Sequence, residues 1–227
     1  MSSNPQYAVD IVLCVDVTGS MAPVIDTVRE GALSFHEQLG DAMARKNTSI
    51  ARLRIRVIAF RDFADKADNA IEQTGFLTIP EQSETFERFV RGLRAEDGGD
   101  APESGLEALA MAVRSPWERG LEERRHVVVM FTDAPAHPLG TGRKASTYPA
   151  GIASSMEELA AQWGATSGQD AVMEYAAKRM LIFAPDEEPW NRIADEWNNV
   201  GFFPSQAGTG LEEWEMAEVI NFIAGGL

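Results

Sequence analysis

Asp16-Val17-Thr18-Gly19-Ser20 places one carboxylate and two hydroxyls at alternate positions directly after an apolar run. In a loop leaving a strand, that alternation turns three oxygens toward one point, and Gly19 permits the tight backbone path this requires. Oxygen donors of this kind suit a hard divalent cation, which takes carboxylate, hydroxyl and water ligands at near-octahedral geometry. A second apolar run, His126 to Thr132, also ends at an aspartate, Asp133, and the intervening loop supplies Glu96-Asp97-Gly98-Gly99-Asp100. Open parallel sheets bind their ligands beyond the C-terminal ends of the strands, which is where Asp16 and Asp133 fall.

Short apolar runs alternate with longer amphipathic stretches along the chain, the pattern of a doubly wound, mostly parallel α/β sheet covered by helices on both faces. Ile11 to Val15 is continuously apolar, as a central strand buried on both sides must be. In Leu53 to Phe60 the first half alternates with Arg52, Arg54 and Arg56, so one face there meets water. Phe76 to Ile79, closed by Pro80, reads as a short antiparallel edge strand, and Arg179 to Ala184 and Gly201 to Phe203 as further strands. Helices are predicted at Val24 to Arg45, Ser83 to Leu93, Pro102 to Val113, Met156 to Trp163, Asp170 to Ala177, Pro189 to Trp197 and Leu211 to Ala224. Ala134 to Ser154, rich in Pro, Gly, Ser and Thr, is a long loop beside the second acidic terminus, and such loops tend to carry function. No repeat or linker divides the chain, so 1–227 reads as one domain.

The charge balance narrows the partners. With 20 Lys+Arg against 35 Asp+Glu the net charge is −15, which repels phosphate backbones and anionic lipid and argues against nucleic-acid and membrane binding. At 44% hydrophobic and 24% charged residues the composition is that of a globular protein with a sizeable core. The segment Met1 to Asp10 lacks the basic and apolar regions of a signal peptide, and the expected location is cytoplasmic. Cys14, the one cysteine, excludes a disulfide framework and sits where a small buried hydrophobe belongs.

Three segments together resemble a known family. Asp16-Val17-Thr18-Gly19-Ser20-Met21, Gly98-Gly99-Asp100-Ala101-Pro102-Glu103 and Phe131-Thr132-Asp133-Ala134-Pro135 resemble, in order and spacing, the three loops of the metal-ion-dependent adhesion site of von Willebrand factor A domains. The resemblance implies that Asp16, Thr18 and Ser20 bind Mg²⁺ or Mn²⁺, with Ca²⁺ less suited, and that Asp133 approaches the ion directly or through water. Where the family often offers a third-loop threonine, this chain offers Asp100, with Asp97 as its rival. Three aspartates around one divalent ion leave a formal charge of +2 − 3 = −1. That charge favours tight metal retention and a basic or neutral partner group over an acidic one. Removing Asp100 should therefore change metal affinity.

The resemblance also implies a function, a metal-dependent protein-interaction module acting as scaffold or regulator. Its partner would be a kinase, a phosphatase or an ATPase-associated system, as for stand-alone cytoplasmic members of the family. No nucleotide-binding or nucleophile-elbow motif is present. The competing enzyme reading is Mg²⁺-dependent phosphoryl transfer with Asp16 as nucleophile. It wants a second acid two residues on and a nearby Lys, but position 18 is Thr and none of the three loops has a Lys, so no enzymatic activity is expected. The residues outside the three loops have simpler expected roles. Arg61-Asp62 is read as structural support, His137 as a solvent-exposed loop residue, and His36 and His126 as structural. Trp190, Trp197 and Trp214 are assigned to helix packing.

Overall fold

The computed structural model describes residues 6–22, 25–26, 37–42, 44–45, 49–65, 67–96, 101–120, 123–165 and 171–205. One seven-stranded sheet organises them. Its strands are β1 (Gln6–Asp16), β2 (Ser49–Phe60), β3 (Ile71–Gln73), β4 (Leu77–Ile79), β5 (Arg124–Phe131), β6 (Lys178–Pro185) and β7 (Val200–Ser205). They run in the order β3-β2-β1-β5-β6-β7, with β4 also paired to β2. β1, β2, β5, β6 and β7 are parallel, as expected, and β4 is the antiparallel edge strand foreseen from Pro80. The structure adds a second short antiparallel strand, β3, which shares that edge of β2.

Strand burial explains the continuous apolar runs. On β1, Val9, Ile11, Leu13 and Val15 enter one core layer while Val12 and Cys14 enter the other. β5 and β6 divide the same way, with Val127, Val129, Leu181 and Phe183 on the first face and Val128, Met130, Met180 and Ile182 on the second. A residue buried on either face must be apolar, so period-2 alternation disappears from the central strands.

The first layer is closed by helical residues Ile25, Leu39 and Ala42 and by α1 (Ser83–Gly92), which buries Phe86 and Val90. The second is closed by α2 (Gly105–Val113), α3 (Met156–Trp163) and α4 (Trp190–Glu196). All nine residues of α2 are buried, and the helix lies so near the core that a Cβ on Gly105 would come within 2.8 Å of the Trp190 ring. Trp190 and Trp197 pack in this layer, as predicted, with Trp197 stacked on Trp163.

Over 171–177 the chain forms turns, not a helix: Val172 and Met173 donate to Gln162 O, and Glu174 O accepts from Ala177 and Lys178 as β6 begins. So short a helix has little stability of its own, and Glu174 is held by Arg119 and Arg124 instead. Much of 24–45, all of 211–224, His36, Asp97, Asp100 and Trp214 lie outside the described residues. Among the described residues no helix is long and apolar enough to cross a membrane.

Candidate metal centre

β1 is the strand from which the chain order diverges: β2, the next parallel strand in sequence, lies on one side of it and β5 on the other. That makes the gap between the C-terminal ends of β1 and β5 the switch point at which such sheets form their ligand crevice. The last register pair, Val15 with Phe131, delivers Asp16 and Thr132 side by side.

Asp16 is fully buried. Its Oδ1 accepts from the Thr18 backbone N–H at 2.9 Å and the Thr18 hydroxyl at 2.6 Å, and its Oδ2 accepts from the Thr132 hydroxyl at 2.6 Å. The Thr18 and Ser20 oxygens are 3.3 Å apart, and the Ser20 hydroxyl donates to Asp133 Oδ1 at 3.0 Å. The structure thus brings Asp16, Thr18, Ser20 and Asp133 into one hydrogen-bonded chain across two loops. Asp100 and its rival Asp97 fall outside the described residues.

Among the described residues no Lys or Arg forms an ion pair with Asp16, Asp133 or Glu103. Burial pushes Asp16 up to about 6 against the lowering effect of its hydroxyl and amide donors, and Asp133 adds to the rise. Burial likewise raises Asp133. Glu103, buried and acted on by Asp16, Asp62, Asp65 and Asp133, is pushed up to about 9. Asp133 Oδ2 is buried without a hydrogen-bond partner among the described residues.

The donor set fits a hard cation in type: carboxylate and hydroxyl oxygens, one of them buried and unsatisfied. Asp16, Thr18, Ser20 and Asp133 are the described residues that would hold the ion, and its contribution would be that of a Lewis acid binding one further oxygen group. Among the described residues no three His, Cys, Asp or Glu side chains group as metal ligands, so this part of the centre has two carboxylates supplemented by hydroxyls.

A supporting tier surrounds the centre. Asp62 Oδ1 accepts from the Ala64 N–H at 3.0 Å and the Ser104 hydroxyl at 3.1 Å, and Oδ2 lies 3.2 Å from His137 Nε2. Arg61 reaches Glu72 and the carbonyls of Asn69 and Arg94, which makes Arg61-Asp62 the structural support the sequence suggested. His137 is a correction, being largely covered and tied to Asp62 rather than solvent-exposed. Glu107 Oε1 accepts from the Gly140 N–H at 2.9 Å and the Tyr148 hydroxyl at 3.1 Å, pinning the long loop to α2. Beside this loop opens a cleft of about 460 Å³ whose lining includes Leu106, His137, Leu139, Met156 and Arg192.

Sequence reasoning gave no role to Thr132, Ser104, Glu103 or Glu107. Glu107 carried a readable signal, since it is an acid within an otherwise apolar helix, where a charge is not expected without a reason.

A mostly parallel sheet flanked by helices on both faces defines a doubly wound α/β domain. The family is shown by the sequence itself: the von Willebrand factor A domain model matches residues 10–141, more than half of the chain, and the chain belongs to that family. Over 143 residues it is 29% identical to the alpha-protein kinase vwkA of Dictyostelium discoideum, covering 63% of this chain and 21% of that protein. Over 138 residues it is 27% identical to the putative ariadne-like RING finger protein R811 of Acanthamoeba polyphaga mimivirus, covering 61% and 12%. The chain therefore matches only a minor part of either relative. The pilus adhesin SpaC from Lactobacillus rhamnosus GG, in its open conformation, superposes with a TM-score of 0.55 at 14% identity over 98% of this chain and 30% of that one, a likeness of fold.

Proposed function

We propose that this chain is a divalent-metal-binding protein-interaction module, a scaffold or regulator without catalytic activity of its own. It engages a partner through an ion held by Asp16, Thr18, Ser20 and Asp133, with Asp100 as third-loop ligand. The observation that carries this reading is the link from Ser20 to Asp133 beside a buried, unsatisfied carboxylate oxygen. Two strand-end loops are already joined through hydroxyls, and a cation there would offset the repulsion of the carboxylates. Mg²⁺ or Mn²⁺ fits the oxygen donors.

The ion would anchor one oxygen group of the partner, while the loop over 134–154 and its neighbouring cleft shape the rim that selects it. Two relatives, matched over 143 and 138 residues, carry the words kinase and RING finger in their names, which supports a module working in the company of signalling activities. A kinase-, phosphatase- or ATPase-associated system in the cytoplasm is the partner class proposed.

The test is Mg²⁺ titration calorimetry on wild type and Asp16→Ala, followed by affinity capture with and without chelator. Metal binding lost in Asp16→Ala and a partner released on chelation are the expected results. A chain that binds no divalent ion, or that turns over a phosphate ester in an Asp16-dependent way, would reject the proposal.

A further inference from the structure

The cleft of about 460 Å³ beside the long loop is walled by three separate segments: residues 136–139, the cap of α3 at 154–156, and the first turn of α4 with the two residues before it. Much of its lining is apolar. Leu106 of α2 is buried, Leu139 and Met156 are partly covered hydrophobics packed on the second core layer, and Pro189 lies with them. The volume falls within the roughly 300–1,000 Å³ of ligand clefts, which is room for an anchoring side chain and its neighbours. The long-loop wall is already in place. Directly after Leu139, the Gly140 N–H donates to Glu107 Oε1 at 2.9 Å, and the Tyr148 hydroxyl donates to the same oxygen at 3.1 Å. A Cβ on Gly142 would collide with the Phe63 side chain, and the Phe63 and Tyr148 rings are 5.3 Å apart. The α3 wall is fixed by its cap, Ser155 Oγ accepting from the Glu158 N–H at 3.2 Å and Glu158 Oε2 accepting from the Ser154 N–H and hydroxyl. A preformed cleft costs a guest little ordering.

The charge at the mouth is unbalanced. Arg192 donates through Nε to Glu196 at 3.0 Å, and the other carboxylates acting on it are those of Glu188 and Glu157. Asp186, Glu187 and Glu188 form an exposed acidic run between β6 and α4. Arg143 is the second cation here, its guanidinium donating to Ser154 O at 3.1 Å. Two guanidiniums thus stand against Glu157, Glu158, Glu196 and the run at 186–188, on a chain whose net charge is already −15. Such a mouth repels an acidic guest and draws in a basic one.

We propose that this cleft is a docking site for a basic segment of a partner protein, which seats one apolar side chain among Leu106, Leu139, Met156 and Pro189 while its Lys or Arg side chains meet the acids at the mouth. The inference rests on the reading of the chain as a protein-interaction module and deepens it by giving the partner's chemistry. It does not rest on the ion, since the contact is made by the cleft alone. The apolar anchor supplies most of the affinity, because a few buried anchors dominate the energy of an interface. The acids set the sign of the partner and the rate of encounter, a contribution that salt screens.

The probes are fluorescein-labelled peptides of one length: a central leucine flanked by lysines and arginines, a central alanine with the same flanks, and a central leucine flanked by glutamates. Each is titrated by anisotropy against wild type, Leu139→Asn, Met156→Gln and the triple variant Asp186→Asn, Glu187→Gln, Glu188→Gln, in chelator and in Mg²⁺, at low and high salt. The basic leucine peptide should bind wild type equally in chelator and in Mg²⁺, and more weakly at high salt. The alanine and glutamate peptides should each bind at least about tenfold more weakly. Leu139→Asn and Met156→Gln should each lose about tenfold for the basic leucine peptide, and the triple variant should lose most of the salt dependence while still preferring leucine to alanine. The three peptides on wild type test the cleft without any variant, so a variant that fails to fold leaves the test intact. Equal binding of the leucine and alanine peptides, preference for the glutamate peptide, or no binding by any of the three overturns the docking site. Binding that chelator or Asp16→Ala abolishes puts the peptide on the ion and overturns it too, with the metal centre left standing. A chain that binds the basic leucine peptide but no Mg²⁺ rejects the metal centre alone.

Discussion

Asp10 and Asp16 lie on the same strand, face the same side of the sheet and are both buried, yet their surroundings are opposite in kind. Asp10 receives a two-pronged Arg54 guanidinium, Nε at 2.8 Å and Nη2 at 2.6 Å, and the Glu118 backbone N–H at 2.6 Å. Asp16 receives two hydroxyls and one amide, with no cation among its described partners. The N-terminal end of the sheet is thus electrically closed by its own residues. The C-terminal end is left with an excess of negative charge, which a protein built only for stability would avoid, because an uncompensated buried charge is costly.

Removing one charge from each end should separate these two designs. Arg54→Met strands Asp10 in the core without its partner and should cost about 3–5 kcal/mol by urea denaturation, with or without divalent metal. Asp16→Asn in chelator should cost far less, because the amide keeps an acceptor for the hydroxyls and removes a buried charge. Divalent metal should then widen the gap. At a hundred times its dissociation constant an ion adds about 2.7 kcal/mol to wild type, and this gain should survive in Arg54→Met and vanish in Asp16→Asn. Equal losses for the two variants in chelator would erase the distinction between the ends.

A smaller effect concerns pH at the closed end. His126 is buried, its Nε2 lies 2.7 Å from Glu118 O, and burial lowers its pKa from the usual value. The unfolded chain therefore takes up the His126 proton first, so this group's contribution to stability is present above about pH 6.5 and is lost as pH falls below it. Wild type should lose more stability than His126→Gln between pH 7 and pH 5, measured by denaturation in chelator at both values. Equal losses would remove His126 as the cause.

The smallest effect lies between the two ends. Cys14 shares the face of Asp10 and Asp16, and its thiol donates to Ala108 O at 3.7 Å. Burial pushes this thiol up to about 12. Native protein should resist iodoacetamide from pH 7 to 10, where an ordinary thiol ionises and reacts, and should label fully once denatured. Labelling that rises near pH 8.5 in the native state would show that the face is open.

Legibility followed the physics of each signal. The central strands β1, β5 and β6 could be read because burial on two faces demands an unbroken apolar run, as could the second half of β2, whereas β7 is a partly covered edge strand read from the short stretch Gly201 to Phe203. The stretch over 171–177 misled because a few residues of helical spacing carry little weight against the fastening of Glu174 by Arg119 and Arg124. β3 was missed because three residues, two of them exposed, leave no pattern. His137 was misread because its covering partner, Asp62, is far away in sequence.

The sequence by itself determined the fold class and which oxygen-bearing side chains stand at the C-terminal ends of β1 and β5, since strand burial, loop glycine and Asp-x-Thr-x-Ser spacing are local properties. Only the tertiary structure decided which acids stand near one another and which are paired with a cation. It alone distinguishes Asp10 from Asp16, and the Glu107 Oε1 that receives two donors from the Oε2 of the same carboxyl, which has no partner among the described residues. The reason is that neutralisation depends on distances across loops and neighbouring strands. A carboxylate's own sequence context carries no record of whether an arginine or only hydroxyls will meet it when the sheet closes.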